Sequence, residues 1–225
     1  MTNQAYRTLE TFMHTCMKDS AHDEEHVYRV LFAAMDIAAH EQGVDTDLLI
    51  AACLLHDIGR REQFADPSLD HAQVGAEKAR AFLLNSGYDS CFAGSVSEAI
   101  RSHRYRSDAP PATLEAKILF DADKLDATGA VGVARTLFYC ATDDDPIYTR
   151  RPDGGISDGD GDEEESFFQE YHYKLKKLYD RFYTARASQI AASRRQAAAA
   201  YYESLLREIR DIEARGKALL SETLT

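Results

Sequence analysis

Residues 23–39, DEEHVYRVLFAAMDIAA, put apolar side chains at Val27, Val30, Leu31, Ala34, Ile37 and Ala38. Those three- and four-residue steps are the signature of an amphipathic helix. The next stretch, 45–57, DTDLLIAACLLHD, predicts a more buried helix because Leu48 to Leu55 is an unbroken apolar run. Thr46 is its expected N-cap and Gly59 its expected stop. The same period predicts helices over 72–84, ending before Asn85-Ser-Gly87, and over 95–102 through Val96, Ala99 and Ile100. A long one is expected over 113–135, after Pro110-Pro111. No alternating strand pattern or Asn-Gly hairpin intervenes, so the fold class is all-α.

The chain has 225 residues, enough to bury its own core as one large domain or one domain with an appendage. With 44% hydrophobic and 28% charged residues, 12 Gly and 5 Pro, disordered, fibrous and low-complexity classes are excluded. The longest apolar run is eight residues, far short of the roughly 20 that cross a bilayer as a helix, so no membrane partner is expected. The first twenty residues lack an apolar leader, and Cys16, Cys53, Cys91 and Cys140 form no C-x-x-C pair. A cytoplasmic protein with reduced thiols is the expectation.

Net charge is −12, of which residues 143–165 carry −8, ten acids against two arginines. The acidity is mostly one loop. A reader of long DNA or RNA needs a basic stripe, and 26 Lys plus Arg against 38 Asp plus Glu supply none. The expected organisation is a core over 1–142, an acidic, solvated loop insertion over 143–166, and helices over 167–225. A calcium loop starting at Asp158 would need Gly at its sixth position and Glu at its twelfth, where Glu163 and Gln169 stand. The C-terminal helices, with Ala197 to Ala200 and the stripe Leu205, Ile209, Ile212, suit packing on the core or on a second subunit, a homodimer, equally well.

Eight histidines are more than a core usually needs, and three groups of chemistry-bearing residues coincide. His22 and His26 are four apart at a helix start, His56-Asp57 closes the apolar run, and Asp121-Ala-Asp-Lys-Leu-Asp126 lies on a later helix. Each alone is ordinary: a His-Asp pair is commonly a hydrogen-bonded helix end, and acids on a helix are usually solvated. Together they are the ligands that an α-bundle offers a metal from several helices at one interior point. His and Asp without Cys favour Mn, Co, Ni, Mg, Fe or Zn and do not choose among them; Mn is put first as the expectation.

Here the sequence resembles a known family. His22-Asp23-x-x-His26-Val-x-Arg29-Val, then Ala-x-Leu-Leu-His56-Asp57-Ile-Gly, then Leu114-Glu-Ala-Lys-Ile-Leu-x-Asp121-Ala-Asp-Lys-Leu-Asp126-Ala-x-Gly-Ala-x-Gly-x-Ala-Arg135 are similar to the small stand-alone bacterial members of the HD superfamily of metal-dependent phosphohydrolases. Tyr173-Lys-Leu-x-Lys-Leu resembles the same subgroup. The resemblance implies an HD-domain helical bundle with a C-terminal helical extension and a divalent metal held by His26, His56, Asp57 and Asp123. Asp123 is chosen from its place in Ala-Asp-Lys-Leu. At 100° per residue Asp123 and Asp126 lie about 60° apart on one side, which is compatible with Asp123 and leaves Asp121 as the runner-up.

Catalytic roles are expected for Asp57, His71 and Lys124, and substrate contacts for His22, His103, Arg104, Lys124 and Asp126. His71 and His103 are placed as phosphate contacts before metal ligands, with Arg101, Arg104 and Arg106 as the basic group beside them. Some HD enzymes carry an acid/base glutamate three residues after the doublet's Asp. Arg60 stands there instead, with Glu62 displaced by two. The implied activity is hydrolysis of a phosphoester or phosphoanhydride bond of a small phosphorylated substrate, a nucleotide first and a nucleoside triphosphate with pyrophosphate release among the options. The alternatives are a non-catalytic metal-containing ligand-binding module and a di-iron HD-type oxygenase.

Overall fold

The computed structural model describes residues 1–17, 24–104 and 110–224. It is helical, with no strand among the described residues, and no helix is long and apolar enough to cross a membrane. The chain forms two compact units, residues 1–126 with 182–187 and residues 127–181 with 188–225.

The first unit holds α1 (Asn3–Met17), α2 (Glu24–Ala38), α3 (Thr46–Leu55), α4 (Arg60–Ala65), α5 (His71–Asn85), α6 (Ser90–Arg101) and α7 (Leu114–Leu125). α3 is its centre. Leu49, Ala51, Ala52, Cys53, Leu54 and Leu55 are all fully buried, as expected of a helix that is apolar all round, and α1, α2, α6 and α7 pack on it. Asp45, not Thr46, caps it, its carboxylate accepting from Leu48 N–H at 3.0 Å. α5 and α6 are likewise capped by Asp70 and Asp89. The Asp89 cap starts α6 earlier than the expected residue 95, because an aspartate can satisfy the orphan N–H groups of a first turn wherever it stands. Periodicity does not announce α1, whose buried positions are only Leu9, Met13 and Met17. Phe12 ties it to α5 by stacking on Phe82 at 3.8 Å.

The expected single helix over 113–135 is two helices. α7 stops at Leu125 and α8 (Gly129–Thr142) begins three residues after Asp126. Thr128 is extended, at φ −107° and ψ 154°, and Gly129 is left-handed at φ +64°, a conformation open to glycine and costly for other residues. In the second unit α8 is followed by α9 (Phe167–Tyr173), a 3₁₀ helix over Leu175–Asp180 and most of α10 (Ala185–Thr223). Residues 143–166 are not merely solvated. Ile156 and Ser157 are buried, Ser157 N–H donates to Thr149 O, and Phe167 and Phe168 N–H donate to Pro146 O and Ile147 O. Asp162 accepts from Thr149 and Ser157 hydroxyls, so part of the acidity is used to shape the loop. Phe167, Phe168, Tyr171 and Tyr202 form this unit's core, with Tyr171 stacked on Tyr202 at 4.0 Å. Of the stripe on α10, Leu205 and Ile209 are half-buried and Ile212 is exposed.

The turn between α3 and α4 lies backbone to backbone against α5. A Cβ on Gly59 would collide with the His71 carbonyl oxygen and stand 2.6 Å from Gly75 N, while one on Gly75 would stand 3.3 Å from His56 O. Gly59→Ala is therefore expected to destabilise the fold by about 1–3 kcal/mol or more, with Gly75→Ala costing less. Equilibrium denaturation of both variants checks the order, and an unchanged Gly59→Ala would show that the turn can move away.

Candidate metal centre

Five side chains meet inside the first unit because the helices that carry them all pack on or beside α3. The first turn of α2 brings His26. The buried end of α3 brings His56 and Asp57, the first residue of α5 is His71, and His103 follows the end of α6. His26, His56, Asp57, His71 and His103 are each at most 3% exposed. Asp123, from α7, completes the group with 27% of its side chain exposed, so the centre opens to water on that side.

The atoms sort into two clusters around one carboxylate. His26, His56 and Asp123 form the first, and Asp57, His71 and His103 the second. In the first, His26 Nε2 lies 3.4 Å from His56 Nε2 and 3.2 Å from Asp123 Oδ1. Asp57 Oδ2 faces the same two imidazoles, at 3.6 Å from His26 Nε2 and 3.7 Å from His56 Nε2. Asp57 Oδ1 faces the second cluster, 3.7 Å from both His71 Nε2 and His103 Nε2.

Hydrogen bonding on the outer side of the rings fixes which nitrogen looks inward. His56 Nδ1 donates to Cys53 O at 2.8 Å, His103 Nδ1 to Ile100 O at 2.5 Å, and His26 Nδ1 to Asp126 Oδ2 at 2.7 Å. With Nδ1 as the donor, each Nε2 offers only a lone pair. In the neutral rings Nε2 lone pairs and carboxylate oxygens therefore share one interior space, an arrangement that a cation relieves. Asp57 Oδ2 and both ring nitrogens of His71 are buried without a hydrogen-bond partner, which fits the same need.

Electrostatics agree. Burial lowers His56 to about 4, the nearby Asp57 charge only partly offsetting it, and burial lowers His71 to about 3, so both rings are neutral at pH 7. Burial would raise the Asp57 carboxyl, yet Arg60 and the surrounding imidazoles outweigh it and hold the group well below the usual range. Asp123 is likewise pushed up by burial and pulled further down by His26, to a net fall. Both carboxylates stay charged.

The other sequence-predicted residues sit elsewhere. Asp121 accepts from the N–H groups of Tyr183 at 2.9 Å and Thr184 at 2.7 Å and from the Thr184 hydroxyl at 2.8 Å, so it fastens the 182–187 segment and is absent from both clusters. Asp126, expected to touch substrate, is 5% exposed. Its Oδ1 accepts from Arg29 Nε at 2.7 Å and its Oδ2 from His26, so it stands behind the His26 ring. The Lys124 ammonium lies over the Phe182 and Phe120 rings, 4.7 and 5.4 Å from their centroids, and its charge acts on Asp121. Arg104 pairs with Asp70, and Arg101 lies 3.6 Å from Glu98. Glu62 pairs with Lys78. His22 and Arg106 lie outside the described residues. Two residues gain importance from the structure. Arg29, three residues after His26, shares its helix face, and Arg60 donates to Asp57 Oδ1 at 2.9 Å.

A family profile described as HD domain matches residues 24–128, the segment that carries every residue of both clusters. A solved structure of a predicted HD superfamily hydrolase from an uncultured Thermotogales bacterium is 32% identical, with a TM-score of 0.61 over 90% of this chain and 91% of that one. Bacillus subtilis YpgQ is 27% identical over 92% of this chain and 94% of its own length. Its structure in complex with ADP matches with a TM-score of 0.69 and 25% identity over 91% of this chain and 97% of that one. With its His-Asp doublet at the junction of two ligand clusters, this chain belongs to the HD superfamily of hydrolases.

Proposed function

We propose that the protein is a metal-dependent phosphohydrolase acting on a nucleotide, with His26, His56, Asp57 and Asp123 holding the ion. The observation that carries this reading is the inward ring of lone pairs whose outer Nδ1 donors are already committed. Mixed nitrogen and oxygen donors without thiolate suit Mn, Co, Ni, Mg, Fe or Zn, and Mn remains first. When bound, such an ion lowers the pKa of a coordinated water and polarises a phosphoryl group. The chain's own residues prepare the site. Asp126 fixes the His26 tautomer and ring plane, Arg29 fixes Asp126, and the Cys53 and Ile100 carbonyls do the same for His56 and His103.

His71 and His103, expected as phosphate contacts before metal ligands, both turn Nε2 to Asp57 Oδ1 at 3.7 Å, a position that suits either role. Arg104, half-exposed and next to His103 in the chain, stays a phosphate contact beside them. Lys124, held over two aromatic rings, acts on the carboxylate that fastens α7. The nucleotide class is supported by the ADP held by YpgQ. The pairing of two clusters on one carboxylate also suits an oxygenase with two irons, which iron analysis and oxygen uptake distinguish from a hydrolase.

Phosphate and pyrophosphate release with Mn, Co, Mg and Ni, against nucleoside tri-, di- and monophosphates and cyclic nucleotides, tests the activity. Turnover is expected with at least one metal and is expected to vanish in Asp57→Ala. Silence across the panel with metal bound at full occupancy would favour a binding module. Asp126→Asn removes the charge that orients His26 and is expected to weaken metal affinity about 10- to 100-fold with unchanged far-UV circular dichroism; unchanged affinity would show that His26 needs no such support.

Protonation gives a further expectation. His56 and His71 are depressed in the folded, metal-free chain to about 4 and about 3, so over the interval below the ordinary histidine value of about 6.5 the unfolded chain binds more protons. Their contribution to stability is complete above that value and is lost as pH falls toward about 4 and then about 3. The melting temperature of the metal-free protein should drop through this window, and His71→Gln should drop less steeply. Equal slopes for the two proteins would count against a depressed His71.

A further inference from the structure

Arg60 occupies an unexpected position for a cation. Its Nε donates to Asp57 Oδ1 at 2.9 Å, and one of its terminal nitrogens reaches Gln63 Oε1 at 3.4 Å, which steadies the guanidinium. Oδ1 is the oxygen that His71 Nε2 and His103 Nε2 face at 3.7 Å. Oδ2, by contrast, belongs to the first cluster with His26 and His56. The two clusters are therefore not equivalent. The first presents imidazole and carboxylate lone pairs, and among the described residues no Lys or Arg pairs with Asp57 Oδ2 or with Asp123. The second shares its only carboxylate oxygen with a permanently charged group, since guanidinium does not lose its proton at any accessible pH.

We propose that Arg60 sets the metal count of the centre, standing in for a second cation at Asp57 Oδ1 so that one ion binds tightly in the first cluster and a second binds only weakly in the other. The inference rests on the metal-centre reading above. Two consequences of the guanidinium act together. It uses one lone-pair direction of Oδ1, and it places a positive charge beside the point where an ion ligated by His71 and His103 would sit, where low polarity keeps like-charge repulsion strong. His71, buried with both ring nitrogens unpartnered, is the residue that registers the difference: in the one-ion state it is a neutral imidazole facing Asp57, and in a two-ion state it is a ligand. The short turn makes the device local. Arg60 follows the doublet on the first turn of α4, three residues from Asp57, so no distant element need move to fill or vacate the position.

The test counts ions on the full chain. Metal-stripped wild type, Arg60→Gln and Arg60→Lys are titrated with Mn(II), bound metal is measured after equilibrium dialysis, and electron paramagnetic resonance reports whether the bound ions are isolated or exchange-coupled. Wild type is expected to hold one tight ion with an isolated-ion spectrum. Arg60→Gln is expected to bind the second ion about tenfold or more tighter than wild type and to show a coupled pair. Arg60→Lys, which keeps the charge, is expected to remain at one. Two tight ions in wild type would overturn the inference, as would a folded Arg60→Gln that stays at one or an Arg60→Lys that gains the second. If Arg60→Gln does not fold, the wild-type count and the lysine variant still decide. A wild type that takes up no ion overturns the metal-centre reading itself and the inference with it, which separates the two failures.

Discussion

A carboxylate 1% exposed, at the end of a helix with no polar face, is the constraint on which the first unit is built. Removing a charge from water costs several kcal/mol even after relaxation, and Asp57 cannot recover that from α3, which is apolar around its whole circumference. The guanidinium on α4 compensates in part, while the first turn of α2, the start of α5 and the end of α6 bring imidazoles that with Asp57 make a place for a cation. Each brings nitrogen to one of its two oxygens. The packing of α2, α5 and α6 around α3 can thus be read as the solution to an electrostatic problem as well as a hydrophobic one.

Much of this was legible in advance, and what was not has identifiable causes. The helices 23–39 and 45–57 declared themselves because periodicity and an unbroken apolar run are local properties. His26 and His56-Asp57 followed, since a polar pair at the end of a buried helix must find partners. Asp121 and Asp123 could not be separated on the helix wheel, because what removes Asp121 is a hydrogen-bonded segment at 183–184 far along the chain. The break at 126–129 had a local sign, two glycines in a helical pattern, but its reason lies partly in Asp126 turning toward Arg29 and His26. Arg60 read as a departure from the family's pattern; its contact with Asp57 required coordinates. That His71 and His103 face the same carboxylate oxygen has no sign in the sequence, where they stand at the ends of separate helices.

The second unit shows the opposite relation between sequence and structure. Its acidic stretch has the composition of a solvated insertion, yet Ile156 is buried and Gly159, at φ +86°, leaves no room for a Cβ against the Phe168 backbone. Aspartate here serves the backbone: Asp162 gathers two hydroxyls and Asp153 accepts from Gly155 N–H. Composition measures how much charge a segment carries and is silent on how much of it is spent on turns.

The glycine contact beneath the doublet bears on how an ion would be held there. Gly59 and Gly75 let the α3–α4 turn rest on the backbone of α5, so the spacing of Asp57 and His71 is set by main chain against main chain and not by the metal that would lie above. In small zinc-dependent folds the cation is the scaffold, and chelation unravels the chain. Here the spacing is a property of the chain itself, so an ion held at the doublet would be an exchangeable part in a socket that the backbone has already cut.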